Sequence, residues 1–484
     1  MTKQNKTAIT PTRDEDFPEW FQQVVKAADL AESSAVRGCY VIKPNGYSIW
    51  EIIQKELDAR IKREAVRNAY FPLLIPLGYI AKEAEHIDGF AKECAVVTHH
   101  RLESDGKGGL QPAGELTEPF VIRPTSETII GESMAKWVNS YRDLPLKLNQ
   151  WANVMRWEMR PRVFLRTAEF LWQEGHNAFA TAEEANADAL KMLDVYEEVL
   201  RDVLAIPGIK GEKTADERFP GAVATYTYEA MMQDGKALQS CTSHDLGQTF
   251  SKGFDIKYQD KDGGEKHAWT TSWGLSTRTI GALIMVHSDD DGLKLPPRAA
   301  ETQVVVIPFI KDEADRQKLE EYCDSVVVQL EAQGVRAVLD ASDGRAGDKI
   351  WTHIKRGTPV RVEIGMREME EGSLTFTRRD IGRDSKQTVP VDNFVDNCVD
   401  ILDEMHNYMY EQAKNLLDQS IVDISSFDEL EKYFNDPRNK GFARMDVSCL
   451  GDTACQQIMK NYALTPRCIP FVDKGKKVII GKSY

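Results

Sequence analysis

Between Arg156 and His176 the sequence sets four arginines, at 156, 160, 162 and 166, among Glu158, Glu169 and Glu174, with Trp157, Phe170 and Trp172 interleaved. Ionic groups held beside aromatic surface cost on the order of several kcal/mol each unless they are paired or meet a ligand. Such a run is either a surface hairpin whose charges neutralise one another or a site for an anionic, planar-ringed substrate. Nucleotides fit the second description. A second run, Ser272-Trp273-Gly274-Leu275-Ser276-Thr277-Arg278-Thr279-Ile280-Gly281, favours the site. Arg278 opens an otherwise apolar helix that continues through Ala282, Leu283, Ile284, Met285 and Val286, and an arginine there requires an anion.

Side chains would have to hold that anion, because no glycine-rich phosphate loop is present. The nearest spacing, Gly475 to Gly481-Lys482-Ser483, has one residue too many between the glycines and no following helix to offer N-terminal N–H groups. Gly106-Lys107-Gly108-Gly109 lies between polar segments and reads as a loop.

The elements that must position these groups can be traced along the chain. Ser48 with Glu51 reads as a capping box for a helix in which Ile49, Ile52, Ile53, Leu57 and Ile61 recur up to about Asn68. A strand from Ala69 to Pro76 follows, and its prolines suit an edge or an interface. Thr181 with Glu184 caps a second long helix through Leu190, Leu193, Val195, Leu200 and Val203. Leu295-Pro296-Pro297-Arg298 reads as a linker. Beyond it, a strand from Gln303 to Pro308, a helix from Glu313 to Gly334, the strand Val335 to Leu339, a helix around Ile350 and the strand Val360 to Ile364 alternate as in a small α/β domain. A long amphipathic helix from Asn393 to Asp418, with Phe394, Val395, Val399, Leu402, Met405, Met409 and Leu416 on one side, leads to a small C-terminal unit.

Composition narrows the partners. A chain of 484 residues suggests two to four domains at roughly 100 to 200 residues each. Apolar runs such as Val304 to Ile307 are too short for a bilayer, and the polar start Met1 to Lys6 has no apolar signal segment behind it, so no membrane contact and a cytoplasmic location are expected. The eight cysteines are scattered, which suits reduced thiols; Cys39, Cys94, Cys323 and Cys398 read as core or surface thiols. The net charge of -15 argues against indiscriminate nucleic-acid binding, which gains affinity from many phosphate contacts, and no DNA partner is expected. A folded RNA remains open: Lys349, Lys355, Arg356, Arg361, Arg367, Arg378, Arg379 and Arg383 read either as a solvated charged face or as a basic strip for it.

On these residues the chain resembles the prolyl-tRNA synthetases of the archaeal and eukaryotic type, within the class II aminoacyl-tRNA synthetases, over nearly its whole length. Motif 1 corresponds to the helix Ser48 to Asn68 with the strand carrying Pro72, motif 2 to Arg156-Trp157-Glu158 through Arg166, Thr167, Glu169 and Phe170, and motif 3 to Gly274 through Gly281. Arg123-Pro124-Thr125-Ser126-Glu127 precedes motif 2. The resemblance implies an α+β class II catalytic domain over 1–298, with an antiparallel sheet flanked by helices. An α/β anticodon-binding domain over 299–400 and a small zinc-binding-like α+β domain over 401–484 would follow. It also implies a homodimer through motif 1, and a ligase that activates L-proline with ATP and Mg²⁺, releases pyrophosphate and transfers prolyl to tRNA(Pro).

The roles follow from the same resemblance. Arg156 would contact the α-phosphate and the amino-acid carboxylate, while Arg166 and Arg278 would hold the β,γ-phosphates and stabilise charge moving onto pyrophosphate. Phe170 would stack on adenine against Arg278, Glu158 would accept from its exocyclic amine, and Thr167, Gln239 and Thr242 would complete the nucleotide site. Thr125 and Glu127 resemble the loop whose carboxylate pairs with the proline ammonium; Trp172, Glu174, His176, Phe219, His244 and Ser272 through Gly274 would form the ring's pocket. Trp351, Lys355, Arg361, Glu363 and Arg367 fall where relatives read the anticodon.

The chain also departs from the pattern. Ser240-Cys241 stand where relatives carry two glycines, so the backbone beside Gln239 is expected to be less permissive. Cys449 and Cys455 sit where a first zinc pair belongs, but the second is absent and Cys468 comes too early. A closed structural zinc site needs four protein ligands, so a metal-free version is expected. No editing domain fits between motifs 2 and 3, which predicts no editing in cis. The terminal Tyr484 resembles the family's ending, whose tyrosine lies near the active site. Two other readings compete: a class II enzyme for threonine, glycine or histidine, and a catalytically dead paralogue acting as an RNA-binding or regulatory module. The presence of Arg156, Arg166 and Arg278 weighs against the second.

Overall fold

A computed structural model describes residues 7–82 and 93–484; the polar stretch Met1 to Lys6 lies outside the described residues. Helices α1 (Phe17–Ala27) and α2 (Pro44–Arg63) flank a short antiparallel pair, β1 (Ala31–Ser33) and β2 (Tyr40–Ile42). α2 starts earlier than the expected capping box. Pro44 takes the first turn, where its missing N–H is no loss, and Ser48 lies inside the helix with Oγ donating to the Asn45 carbonyl at 3.1 Å. The helix ends at Arg63, and the expected 69–76 strand is replaced by β3 (Arg67–Asn68) and β4 (Leu74–Pro76), which join different sheets. Pro72 between them has no N–H to continue a ladder.

After α3 (Leu77–Lys82), the hairpin β5 (Ala95–Ser104) and β6 (Leu110–Ile122) turns through Gly106 to Gly109, where Asp105 accepts from the N–H groups of Lys107 and Gly109, both at 2.8 Å. α4 (Glu127–Trp137) leads to the central sheet, which begins with β7 (Leu146–Met155) and β8 (Glu169–Phe179). α5 (Ala182–Asp202) is capped as the sequence predicts, Thr181 Oγ1 accepting from the Glu184 N–H at 3.2 Å. It leads to β9 (Gly208–Glu212), β10 (Ala224–Met231) and β11 (Ala237–Gly247). Past α6 (Thr249–Phe254) and the hairpin β12 (Lys257–Gln259) and β13 (Glu265–His267), the chain returns in β14 (Trp269–Ser276), between β11 and β8, and enters α7 (Arg278–His287). These long strands are antiparallel. α1, α2, α5 and α7 bury their apolar sides with one face of the sheet in the largest core, which leaves the opposite face for chemistry.

Pro297 of the expected linker and the following Ala299 are buried. Arg298 pairs with Asp403 at 3.0 Å, and Arg336 donates to the Pro297 and Ala300 carbonyls at 3.0 and 2.7 Å, so the stretch is clamped from both sides. The next domain comprises β15 (Val304–Phe309), α8 (Arg316–Ala332), β16 (Ala337–Leu339), α9 (Ala346–Arg356), β17 (Val360–Gly365), α10 (Met366–Glu371), β18 (Ser373–Arg378) and β19 (Gln387–Pro390). β15 pairs parallel with β16 and β17, and the antiparallel β18 and β19 extend that sheet. α11 (Val391–Gln419) covers it with Phe394, Val395, Leu402 and Met405. Val399 and Leu416 depart from the expected apolar side: they are 43% and 40% exposed, and Leu417 is buried instead.

The C-terminal unit holds β20 (Ile421–Asp423), α12 (Phe427–Asn435), β21 (Phe442–Asp446), α13 (Thr453–Tyr462), β22 (Thr465–Pro470) and β23 (Lys477–Gly481). It is continuous with the central sheet: β22 pairs with β9 through Ile469↔Glu212 and Pro470↔Gly211, giving eleven strands in one sheet. All eight cysteines are free. Cys449 and Cys455 share one apolar cluster, while Cys468 packs in another with Phe442 and Ile479, so the three thiols do not converge. Among the described residues, no group of three or more His, Cys, Asp or Glu could hold a metal, and no helix is long and apolar enough to cross a membrane.

Candidate active site

The open face of the central sheet carries two adjoining recesses. Side chains alternate along a strand and directly paired residues share a face. Phe170, Trp172, Glu174 and His176 of β8, Ser272 and Gly274 of β14, and Gln239, Thr242 and His244 of β11 therefore line one recess of about 990 Å³. Phe219 lines it too, Arg156 enters just past β7, and Thr125 and Glu127 enter from the start of α4. The second recess, about 710 Å³, is lined by the loop carrying Glu158, Arg166 and Thr167, and it shares Arg156, Phe170, Ser276 and Arg278 with the first. Every expected proline and ATP residue thus lines one recess or both.

In the first recess a hydrogen-bond chain fixes two carboxylates. Thr125 Oγ1 donates to Glu127 in a very short contact. Ser126 Oγ and Gln150 Nε2 donate to Glu174 Oε1 at 2.5 and 2.9 Å, and His176 Nε2 meets Oε2 at 3.0 Å. Burial pushes the Glu174 carboxyl up, but bonds from His176, Ser126 and Gln150 hold it below its usual range. Burial likewise pushes the His176 imidazole down, but Glu174 and Glu127 hold it above its usual value. The Glu174 carboxylate thus favours protonation of the His176 it meets. His244 is the opposite case: burial and the His176 charge push it down to about 3, and Nδ1 meets Thr225 Oγ1 at 3.0 Å. Neutral His244, with the Phe219 ring 4.6 Å away, and Trp172 suit an aliphatic ring. Ser272 Oγ and Trp172 Nε1 are buried with no hydrogen-bond partner among the described residues.

The arginines define the boundary with the second recess. Arg156 donates from Nε to the Pro124 carbonyl at 2.8 Å and lies 5.5 Å over both the Phe170 and Trp172 rings. Arg278, which the resemblance sets across the adenine from Phe170, lines both recesses together with Phe170. Arg278 is held back by its Nε bond to the Leu165 carbonyl at 3.1 Å. Burial, then Arg166 and Arg156, push the Arg278 guanidinium down to about 10. Burial also lowers Arg156, opposed by Glu127, Glu174 and Glu93. Arg166 and Arg156 repel Arg278 across a recess that Glu93 and Glu158 also line, and an entering anion relieves that repulsion.

Ser240 and Cys241 need no glycine. Tyr228 opposes Cys241 and Glu229 opposes Gln239, so Ser240 is an extra residue in β11, a bulge of the kind that re-aims side chains beside a site. Neither residue has a positive φ, and Cys241 packs into the core. Glu217, Arg218, Thr225 and Glu93 also line the recesses. Adjacency to Phe219 is the sequence signal for the first two, and the alternation Thr225, Thr227, Glu229 for the third; Glu93 has none. Tyr484 does not line either recess: its hydroxyl donates to Asp234 Oδ2 at 2.6 Å at the β10–β11 turn.

Residues 113–287 match the family described as tRNA synthetase class II core domain (G, H, P, S and T), and residues 303–401 match the anticodon binding domain. The proline–tRNA ligase of Bdellovibrio bacteriovorus is 54% identical over 98% of this chain and 97% of its own, and that of Akkermansia muciniphila is 53% identical over 97% and 95%. A solved prolyl-tRNA synthetase from Cryptosporidium parvum, complexed with halofuginone and AMPPNP, is 36% identical with a TM-score of 0.88 over 99% of both chains. The chain belongs to the proline–tRNA ligase family. Membership sets aside the threonine, glycine and histidine readings.

The residues that this family resemblance assigns to the anticodon are more dispersed. Trp351 is 38% exposed on α9. Arg361 is buried on β17, with Nε and Nη1 lacking partners among the described residues, and burial and Arg379 push it down to about 10. Glu363 accepts from Lys386 Nζ at 2.8 Å, Arg367 pairs with Glu371 at 3.2 Å, and the Lys355 carbonyl accepts from the Leu293 N–H. The expected basic strip is corrected. Lys349, Arg361, Arg378 and Arg379 are buried; Arg379 pairs with Asp289 and Arg378 with Asp380 and Glu404.

Proposed function

We infer that the chain activates L-proline with ATP and then transfers the prolyl group to the 3′ end of tRNA(Pro). The observation that carries the reading is the pair of recesses meeting at Arg156, Phe170, Ser276 and Arg278: one is sized and charged for an amino acid, the other is lined with arginine. In this assignment Glu127 takes the proline ammonium, and Trp172, Phe219 and neutral His244 surround the ring. Ser272 Oγ and Trp172 Nε1 are donors without partners among the described residues, available to the substrate. Arg156 draws the proline carboxylate towards the α-phosphorus. The carboxylate oxygen bonds to phosphorus, the bond to the bridging β-phosphate oxygen breaks, and Arg166 and Arg278 take up the charge on departing pyrophosphate. The terminal ribose hydroxyl of the tRNA then attacks the proline carbonyl and AMP leaves.

Mg²⁺ would arrive on the nucleotide, because no cluster of ligands for it is built among the described residues; such an ion is held by phosphates, waters and one or two carboxylates. Trp351, Lys355, Arg361, Glu363 and Arg367 are assigned to the anticodon. We assign the archaeal and eukaryotic type, without an editing domain in cis and with a metal-free C-terminal unit. A cytoplasmic location fits. A homodimer through the motif 1 region is supported by exposed Tyr70 (73%), Leu74 and Leu77 (40% each). The dead-paralogue reading is not favoured, since all three arginines stand in the cleft. The test is ATP–pyrophosphate exchange with each of the twenty amino acids and no tRNA: exchange with proline alone is expected, and exchange with none, or with another, overturns the assignment.

A further inference from the structure

Beside the cleft floor, on the adjoining strand, lies a charge cluster that the reaction so far leaves unused. Glu229 of β10 opposes Gln239 of β11 and so shares its face. The Glu229 side chain is completely buried, and its two oxygens are divided between two cations: Lys213 Nζ reaches Oε1 at 2.7 Å, while Arg467 Nη2 and Nε reach Oε2 at 2.9 and 3.1 Å. Thr227 Oγ1 completes the shell at 2.9 Å. Lys213 and Arg467 are themselves 2% and 8% exposed. Among the described residues Glu229 is the only carboxylate within 4.0 Å of either. One carboxylate against two cations leaves a positive charge in surplus, and burying an uncancelled charge is costly unless an anion shares the site.

Arg467 comes from β22, in the C-terminal unit. The same unit grips the strand pair two residues further on, at its turn: Ala237 N–H donates to the Lys482 carbonyl at 2.8 Å, and Tyr484 N–H to the Ala237 carbonyl at 3.0 Å. Glu229 and Arg467 both contribute to the field at Arg278, with opposite signs. We propose that Arg467 is a positioning residue of the nucleotide site: together with Lys213 it fixes Glu229 beside Gln239 and places a surplus positive charge next to the floor, for the phosphates of the bound nucleotide. The C-terminal unit thereby supplies part of the ATP site without touching the substrate. The inference rests on the nucleotide reading of the cleft.

The experiment is proline-dependent ATP–pyrophosphate exchange on the full chain, with KM for ATP and for proline measured separately. Arg467→Met should raise KM for ATP about tenfold and KM for proline less than about twofold, and Arg467→Lys should recover most of the loss. Arg444→Met, which removes an exposed pair with Asp423 in the same unit, should change neither. A lowered melting temperature with an unchanged KM for ATP would show a merely structural contact and overturn the proposal. If Arg467→Met does not fold, Lys213→Met decides, because it removes the surplus charge and leaves the Glu229–Arg467 pair in place: a raised KM for ATP supports the inference and an unchanged one sinks it. Absence of proline-dependent exchange in the wild type would instead sink the functional reading.

Discussion

Arginine is concentrated in two places, and the two are connected differently. Where the catalytic and α/β domains meet, Arg379 places Nη1 and Nη2 on Asp289 at 2.8 and 2.6 Å and Nε on the Ile354 carbonyl, and Arg378 is shared by Asp380 and Glu404. Around the cleft, Arg156, Arg166 and Arg278 face one another, and among the described residues neither Arg166 nor Arg278 has a carboxylate within 4.0 Å. A buried ion pair is complete in itself, whereas an array of like charges is held together only by the fold until a ligand arrives. A basic cluster in a sequence therefore points to a ligand only where the fold does not supply the counter-charge.

Substitution in the two clusters should separate activity from stability. Arg278→Ala should lower the rate of pyrophosphate exchange by roughly 10²- to 10³-fold while leaving the urea midpoint unchanged or raised, because it removes a like-charge contact with Arg166 and Arg156. Loss of stability in parallel with activity would break the contrast. Arg379→Met should do the reverse. It strips a bidentate partner from Asp289, whose carboxyl is held well below the usual range by Arg379 and Lys294 against burial. It should cost roughly 3 kcal/mol of unfolding free energy, with exchange by the folded fraction little changed.

The cleft was the legible part of the sequence because its residues obey local rules. Phe170, Trp172, Glu174 and His176 stand two apart and so fall on one face of β8, and Arg278 marks the start of an apolar helix. The α/β domain was legible as alternation for the same reason. What could not be read depends on distant partners. Lys349, Arg378 and Arg379 look like a solvated strip until Asp340, Glu404 and Asp289 are brought to them. The joining of β22 to β9 rests on two residue pairs far apart in the chain, with no local pattern to announce it. The Ser48 box misled because Pro44, four residues earlier, is the stronger helix start.

Arg361 tests the borderline between the two kinds of arginine. It is buried like the junction residues, but its Nε and Nη1 have no hydrogen-bond partner among the described residues. If its free N–H groups serve a base of the anticodon, Arg361→Ala should raise KM for tRNA(Pro) in aminoacylation about tenfold and leave tRNA-independent exchange untouched. An unchanged KM for tRNA would place it with the structural arginines.

The smallest effect concerns α7, which runs from Arg278 in the cleft to the junction at Asp289. At its end His287 is pushed down to about 4, mainly by burial, with Nε2 on the Leu204 carbonyl at 2.9 Å. Its folded pKa lies below the unfolded value of about 6.5, so on acidification the unfolded chain takes up a proton that the folded chain refuses. Stability from this group is complete above about pH 6.5 and is lost as pH falls towards 4. Between pH 7 and pH 6 the loss is roughly 0.7 kcal/mol. His244, at about 3 in the cleft, acts in the same direction, and His176, held above its usual value, acts in the opposite one: its stabilisation is complete below the unfolded pKa and disappears as pH rises through the folded one. His287→Gln should flatten the urea-denaturation profile between pH 7 and pH 6 by that amount without moving the pH profile of exchange, because His287 touches only the junction end of the helix. If the exchange profile moves with it, α7 transmits charge between the two arginine clusters and they are not independent.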